Sequence, residues 1–212
     1  MNSRYLLAVL FAASAVAQPA PERTVEGNRL ISKSLPAATI EVAKGFRYLG
    51  VRVFPLYGVA IAEMHVFAEP DSAGNVKRFL WFQFEHYTPD NSNTYGYVAE
   101  RTTTLGPLSF LYDTTLFTDY IARPARPNSD SAEFKGLMEK SGMTGPAATA
   151  RIRLVHLPGS DRRSELMIIY GEAVGADQLP AGMPNGIQAD KNHPEWGARL
   201  IKGLLEAVKL TQ

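Results

Sequence analysis

Four polar side chains lie among the apolar residues of two neighbouring stretches of the sequence, and their types and spacing suit proton transfer. Glu63 and His65 are two residues apart, as are Gln83 and Glu85. Because side chains alternate across a β-strand, each pair projects from one side of its strand. Carboxylate and imidazole groups that converge can act as general acid and base, or bind a metal ion when further ligands join them.

The residues between these stretches predict a hairpin that brings the two pairs together. The segment EPDSAGN, residues 69–75, has the composition of a hairpin turn. Counting outward from this turn, we expect one face to combine large rings with convergent polar groups, which is the usual lining of a small-molecule site. The candidate ligand-binding residues on this face are Tyr48, Arg52, Glu63, His65, Trp81, Gln83 and Glu85. The other face is predicted to be core, because small residues such as Ala62 oppose large ones such as Phe82.

The same residues also admit a purely structural interpretation. Exposed antiparallel faces often carry aromatic and charged side chains, since cross-strand pairs contribute about 0.2–1 kcal/mol each. An ion pair between Arg52 and Glu63, and a contact between Tyr48 and His65, would then only stabilise the sheet. The sequence leaves both interpretations open.

Metal and cofactor chemistry is not predicted. A catalytic zinc site commonly needs three converging protein ligands, whereas His86 is expected on the face opposite His65 and no HExxH motif occurs. Neither a phosphate loop nor a dinucleotide fingerprint is present. The absence of cysteine excludes thiol catalysis and thiolate ligands. No cofactor is therefore expected, and acid–base chemistry by Glu63, His65 and Glu85 is the alternative to ligand binding.

The N-terminal residues predict export. Arg4 precedes an apolar run of about twelve residues, and a small-x-small triplet ends at Ala17, so we expect a signal peptide over residues 1–17 with cleavage before Gln18. The run is shorter than the roughly 20 residues of a membrane span, and no transmembrane segment is predicted. Removal of Arg4 leaves equal numbers of basic and acidic residues, which does not favour a nucleic-acid partner. The protein is expected to be secreted or periplasmic.

Hydrophobic periodicity predicts mostly strands, with two helices. The strand-like stretches cover residues 46–54, 59–68, 76–87, 96–104, 108–112, 116–121, 148–158 and 164–174. Asp130, followed three residues later by Glu133, resembles a capping box and predicts a helix near residues 130–141. Pro194 and an apolar stripe after it predict a C-terminal helix near residues 194–209.

Strands in blocks, interrupted by one helix and closed by another, favour an α+β fold. We expect an antiparallel sheet built of hairpins, with both helices packed on one face. A half-closed β-barrel with a C-terminal helix is the alternative. Residues 18–36 are predicted to be a partly ordered N-terminal arm, and residues 37–212 to form a single α+β domain.

These features lead to one functional hypothesis and two alternatives. The leading hypothesis is an exported, cofactor-free binding or accessory protein that holds a small apolar or aromatic ligand, or a protein partner, on the Trp81 and His65 face. The first alternative is a hydrolase or isomerase that uses Glu63, His65 and Glu85 as acid and base groups. The second is a structural protein of the cell envelope.

Overall fold

In the computed structural model, residues 19–97, 101–118, 124–179, 182, 185–188 and 194–212 are described. The expected signal peptide, residues 1–17, and its cleavage point before Gln18 lie outside the described residues. No helix in the described part of the chain is long and apolar enough to cross a membrane.

The strands and helices of the described residues follow one another in an order close to the predicted one. In chain order they are β1 (Thr24–Glu26), β2 (Arg29–Lys33), β3 (Ala37–Val42), β4 (Arg47–Leu56), β5 (Ala60–Pro70), β6 (Val76–Tyr87), β7 (Thr102–Leu105), β8 (Leu108–Phe117), α1 (Asp130–Lys140), β9 (Thr149–His156), β10 (Ser164–Ala173), β11 (Ile187–Gln188), α2 (Pro194–Ala207) and β12 (Val208–Thr211). The segments predicted over 108–112 and 116–121 form one continuous strand, β8, as far as Phe117.

The described strands form two antiparallel sheets. The larger sheet has the order β11–β8–β9–β10–β6–β5–β4, and β7 also pairs with β8. The smaller sheet has the order β1–β2–β3–β12. No closed barrel is found among the described strands, because the larger sheet ends at β4 on one side and at β11 on the other. The chain therefore has the predicted α+β fold with antiparallel sheets.

The β5–β6 hairpin lies inside the larger sheet and carries most of the candidate site residues. Its turn is held by Asp71, whose side chain accepts hydrogen bonds from the N–H groups of Ala73 and Asn75, at 2.8 and 2.9 Å. Gly74 has a φ of 85°, which a glycine adopts without steric cost. Every residue from 79 to 85 is buried, so β6 contributes to the core on both of its sides.

Helix α1 covers one face of the larger sheet, here called the α1 face. Ser129 caps the helix, because its side chain accepts a hydrogen bond from the N–H of Ala132. The fully buried ring of Phe134 lies 4.9 Å from the ring of Phe79 and 5.1 Å from that of Trp81. Burying such a side chain contributes roughly 1.5–3 kcal/mol, which fixes α1 against β6.

Helix α2 and the smaller sheet cover the opposite side of the larger sheet, here called the α2 face. Leu200 and Leu204 pack in one cluster with Phe82 and Tyr170. Gly203 is needed at this contact, because a Cβ would lie 2.5 Å from the Tyr170 hydroxyl. The two helices thus pack on opposite faces and not on one, since both sides of β6 carry large apolar side chains that need a cover.

The ends of the chain meet in the smaller sheet. Helix α2 ends at Ala207, two residues before its predicted end, because the chain then becomes extended and pairs with β3 as β12. The N-terminal arm expected over residues 18–36 contains two paired strands, β1 and β2, and β2 pairs with β3. Leu30 and Ile40 of this sheet are fully buried against the α2 face.

Candidate functional site

The register of the β5–β6 hairpin separates the residues that were expected to share one face. In the structure Ala62 pairs with Glu85, Met64 with Gln83 and Val66 with Trp81. This is one residue away from the pairing that the turn predicts. The register shifts between Glu69 and Pro70, where a bulge adds a residue to β6. A shift by one residue moves a whole strand's side chains to the other face, so the expectation of one shared face is wrong.

The candidate residues therefore fall into two groups. Tyr48, Glu63 and His65 lie on the α2 face of the sheet, together with Phe82. On the α1 face lie Arg52, Trp81, Gln83 and Glu85. The acid–base set of Glu63, His65 and Glu85 is accordingly not brought together, because the sheet lies between Glu85 and the other two.

On the α2 face, Tyr48, His65 and Glu63 form a chain of hydrogen bonds, here called the Glu63 cluster. The Tyr48 hydroxyl lies 2.9 Å from His65 Nδ1. His65 Nε2–H donates to Glu63 Oε1 over 2.8 Å. Both ring nitrogens of His65 are therefore occupied within the protein, and His65 has no free nitrogen for a metal ion.

The N-terminal arm completes the Glu63 cluster. The backbone N–H groups of Glu22 and Arg23 donate to Glu63, at 2.8 and 2.9 Å, and the Arg23 guanidinium lies 3.2 Å from Oε2. Burial would raise the pKa of Glu63, but the hydrogen bonds from His65 and from these backbone groups lower it to about 2. Glu63 is thus ionised and fully hydrogen-bonded, which makes it an anchor for the arm.

Two candidates on the α1 face are structural. Trp81 is only 1% exposed, and its indole stacks on Phe134 with an angle of 13° between the rings. The expectation that Trp81 lines an accessible site is therefore wrong, because α1 covers it. Arg52 pairs with Glu133 of α1 at 3.4 Å and not with Glu63, since Arg52 projects from the other side of the sheet.

The remaining two candidates belong to a buried polar network. The Trp81 Nε1–H donates to Gln83 Oε1 over 2.8 Å, and Gln83 Nε2 donates to Glu85 Oε1. The other carboxylate oxygen of Glu85 accepts a hydrogen bond from the Tyr95 hydroxyl at 3.0 Å. This chain orients Glu85 and connects it with the loop after β6.

Glu85 is paired with a second buried glutamate, here called the Glu85–Glu165 pair. Glu165 of β10 is the direct cross-strand partner of Glu85, and such partners have Cβ atoms about 4.5–5.5 Å apart. The Tyr97 hydroxyl donates to Glu165. Both carboxyl groups are thus shielded from water and receive a tyrosine hydroxyl from the same loop.

The Glu85–Glu165 pair favours the protonated form. Burial raises the pKa of Glu85, and the hydrogen bonds from Gln83 and Tyr95 only partly oppose this shift. Burial, followed by the negative charge of Glu85, raises the pKa of Glu165 to about 8. Two carboxyl groups this close do not both ionise readily, so the pair retains a proton at neutral pH.

A cavity of about 390 Å³ opens beside Glu85. Three tyrosine rings in its wall form a stack. The ring centres of Tyr87 and Tyr95 are 4.5 Å apart, and those of the parallel rings of Tyr95 and Tyr97 are 6.4 Å apart. The residues that line it are Leu56, Tyr57, Val59, Ala60, Glu85, Tyr87, Thr94, Tyr95, Gly96 and Tyr97. Of the seven residues predicted for the site, Glu85 alone lines this cavity.

Sequence reasoning missed most of this cavity. Tyr95 and Tyr97 stand in the loop TPDNSNTYGY, where the alternation of the two rings around Gly96 was a usable signal. Glu165 is a lone acidic residue in the apolar strand SELMIIY, and such a residue is rarely buried without a function or a partner.

Among the described residues, no group of three or more histidine or acidic side chains is arranged to hold a metal ion. The groups that line the cavity include a carboxyl group, tyrosine phenols and apolar side chains. Comparison with protein-family models, with curated proteins and with solved structures finds no match to this chain.

Proposed function

We propose that this protein is an exported binding protein that holds a small organic molecule with an aromatic or apolar body in the cavity beside Glu85. The observation that carries the proposal is a recessed carboxyl group, 7% exposed, in the wall of a tyrosine-lined cavity of about 390 Å³. Pockets for small molecules are commonly 300–1,000 Å³ and combine aromatic walls with a few oriented polar groups.

The rigidity of the cavity wall supports this proposal. Arg163 lies 6.0 Å from the Tyr87 ring at one end of the tyrosine stack, and Arg153 lies 5.8 Å from the Tyr97 ring at the other. Arg163 also donates to the backbone oxygen of Thr88, at 2.9 Å. A wall whose side chains are already ordered loses little conformational entropy when a ligand binds.

The same proposal includes export, which rests on Arg4, the apolar run and Ala17. N-terminal sequencing of the protein isolated from its own cells is expected to begin at Gln18. A product that begins at Met1 inside the cytoplasm would contradict export and leave the binding proposal unaffected.

Binding can be tested with three probes of one shape: 2-phenylethylamine, 2-phenylethanol and 3-phenylpropionate. We expect at least one of them to shift the backbone amide NMR signals of Ala60, Glu85 and Thr94. Gly96→Trp should abolish these shifts, because Gly96 lines the cavity and has no atom within 4 Å of an added Cβ. Gly136→Trp is the matched control, since Gly136 is equally free of neighbours and lies on α1 outside the cavity lining.

A negative result has a definite meaning in this experiment. If none of the three probes shifts those signals at millimolar concentration, the cavity does not serve as a site for small aromatic molecules. Shifts that survive Gly96→Trp would place the binding elsewhere and contradict the proposal in the same way.

A second candidate function is acid–base catalysis, and the Glu85–Glu165 pair favours it. One carboxyl that keeps a proton beside another that can ionise is an arrangement for general acid and base. Glu165 would here replace Glu63 and His65 as the partner of Glu85. The test is turnover of nitrophenyl glycosides and esters: Glu85→Gln should remove it while probe binding persists, and absence of turnover in the wild type would exclude these substrates.

A further inference from the structure

We propose that the ligand of the cavity presents a protonated amine to Glu85. This inference rests on the proposed function and adds the chemical class of the ligand.

The Glu85–Glu165 pair receives its hydrogen bonds from uncharged groups. Glu85 and Glu165 face each other across β6 and β10, and their hydrogen bonds come from an amide and from phenol hydroxyls. All of these donors are neutral. The Glu63 cluster shows what this fold does elsewhere for an ionised carboxylate, since the Arg23 guanidinium lies 3.2 Å from Glu63.

The charged groups around the pair leave an excess of acid. The negative charge of Asp130, at the start of α1, contributes to the raised pKa of both glutamates. Arg153 of β9 acts favourably, but its guanidinium is bound by Asp113 of β8, with Nε 2.9 Å from a carboxylate oxygen. Counted together, the named side chains comprise four carboxyl groups (Glu85, Glu165, Asp130 and Asp113) and one guanidinium (Arg153).

The groups at the cavity mouth do not reverse this balance. Arg163 is engaged by the backbone oxygens of Asn93 and Thr88 at 3.2 and 2.9 Å. Arg126 lies 5.5 Å from the Tyr57 ring. Burial, followed by the negative charge of Asp130, raises the pKa of the Tyr57 hydroxyl; Glu85 adds to this shift and Arg126 opposes it. An anionic ligand group beside Glu85 would add a further negative charge to this cluster, whereas a cation would complete it.

An ammonium group fits this position. It brings N–H donors to an acceptor-only carboxylate, and charge-assisted hydrogen bonds are roughly twice as strong as neutral ones. Binding of the ammonium group lets the singly protonated pair ionise fully: the remaining proton leaves to solvent, and the ammonium charge offsets the second negative charge of the two carboxylates. The tyrosine rings that line the cavity then cover the apolar part of the ligand.

The experiment compares 2-phenylethylamine with 2-phenylethanol by isothermal titration calorimetry on the full-length mature protein at pH 7. The two probes share a ring and a two-carbon chain, and they differ in the ammonium group. We expect the amine to bind at least tenfold more tightly and to release a proton, measured as a dependence of the heat on the ionisation enthalpy of the buffer. The alcohol should release none.

Two variants locate the effect. Glu85→Gln should bring the affinity ratio of amine to alcohol close to one, because it removes the charge and keeps the size of the side chain. Glu139→Gln removes one negative charge from an exposed position on α1 and should leave the ratio as it is in the wild type. Glu165→Gln serves as a second test if Glu85→Gln does not fold, and it should reduce the proton release.

Each outcome separates this inference from the proposed function. If the alcohol binds in the cavity as tightly as the amine, or if Glu85→Gln keeps the preference for the amine, the ligand class is wrong and the binding function stands. If 3-phenylpropionate binds more tightly than the amine, the class is an anion and the inference fails. If none of the three binds, the proposed function fails with it.

Discussion

Glu63 and Glu85 lie on neighbouring strands and are both buried, yet their surroundings have opposite effects on their charge. Four N–H donors, including those of Arg23 and His65, surround Glu63 and hold its pKa at about 2. Burial raises the pKa of Glu85, and the hydrogen bonds from its neutral donors, Gln83 and Tyr95, only partly oppose this shift. The difference shows that the neighbours supplied by other strands and by loops decide whether the pKa of a buried glutamate is lowered or raised.

The comparison also separates closed from open surroundings. The arm that supplies Glu22 and Arg23 fills the space around Glu63. Beside Glu85 the loop with Tyr95 and Tyr97 leaves a cavity. An enclosed carboxylate whose hydrogen bonds are all made within the protein stabilises the fold, whereas a carboxyl group that borders a cavity can also be reached by a ligand.

The largest expected loss of stability tests whether side chains on the α1 face and on the α2 face are equally well packed. Phe82→Ala on the α2 face and Trp81→Ala on the α1 face should each cost about 3–5 kcal/mol of unfolding free energy, because both side chains are buried and would leave cavities. Urea unfolding curves measure both. A Trp81→Ala variant as stable as the wild type would show that α1 packs loosely and that the α1 face is open to a ligand.

The next effect concerns the anchor. Glu63→Gln should cost about 2–4 kcal/mol at pH 7, because it leaves Arg23 buried without its carboxylate. The folded pKa of about 2 lies below the unfolded one, so the stabilisation is present above pH ~4.3 and lost as the pH falls through about 2.

The anchor experiment has its control in an exposed ion pair. Glu41→Gln breaks a pair with Arg29 whose side chains are both nearly half exposed, and it should cost at most about 1 kcal/mol. Equal losses for the two variants, or a Glu63→Gln loss that persists at pH 2, would contradict the role of Glu63.

For the Glu85–Glu165 pair, we expect stability to change with pH in the opposite direction. The folded pKa of Glu165, about 8, lies above the unfolded one, so ionisation destabilises the fold as the pH rises from ~4.3 towards 8. Glu165→Gln should therefore gain about 1–3 kcal/mol at pH 7 and nothing at pH 4. Thermal unfolding at both pH values measures this, and a variant less stable at pH 7 would show that the charge of Glu165 is compensated.

The smallest expected effect concerns the hydrogen bond from Tyr95 to Glu85. Tyr95→Phe removes the phenol donor of Glu85 and should cost about 0.5–1.5 kcal/mol. The same change should raise the pKa of Glu85 further, because the Tyr95 hydrogen bond opposes the upward shift. An NMR titration of the Glu85 carboxyl carbon measures it, with Tyr112→Phe on β8 as the control, and an unchanged titration would remove Tyr95 from the pair's support.

The long strands of the larger sheet, both helices and the β5–β6 hairpin could be predicted, because they depend on local periodicity and turn residues. The strands of the smaller sheet, β1, β2, β3 and β12, were not predicted. The faces of the β5–β6 hairpin could not be assigned from the sequence to the core and to solvent. Alternation identifies a buried face only where the other face meets water, and here α1 and α2 cover both. Residues 79 to 85 are therefore buried on both sides of the strand, with the polar residues Gln83 and Glu85 on the α1 face.

The candidate site could be predicted only in part for a related reason. Glu85 was recognisable as a carboxyl group among aromatic rings. Its partners Glu165 and Tyr95 come from β10 and from a loop, and nothing in their local sequence says which strand they will meet. The bulge after Glu69 was equally hidden, and it alone decides that Glu63 and Glu85 project from opposite faces.

Local sequence was therefore sufficient for the two helices and the long strands of the larger sheet, for the α+β class and for the residue types available to chemistry. Secondary structure follows from side-chain periodicity and turn geometry, which act over a few residues. The tertiary structure alone decided that Glu63 is an ionised anchor and that the Glu85–Glu165 pair retains a proton beside a cavity. A buried charge depends on the donors and charges within a few ångströms, and these groups come from positions 40 and 80 residues away in the chain.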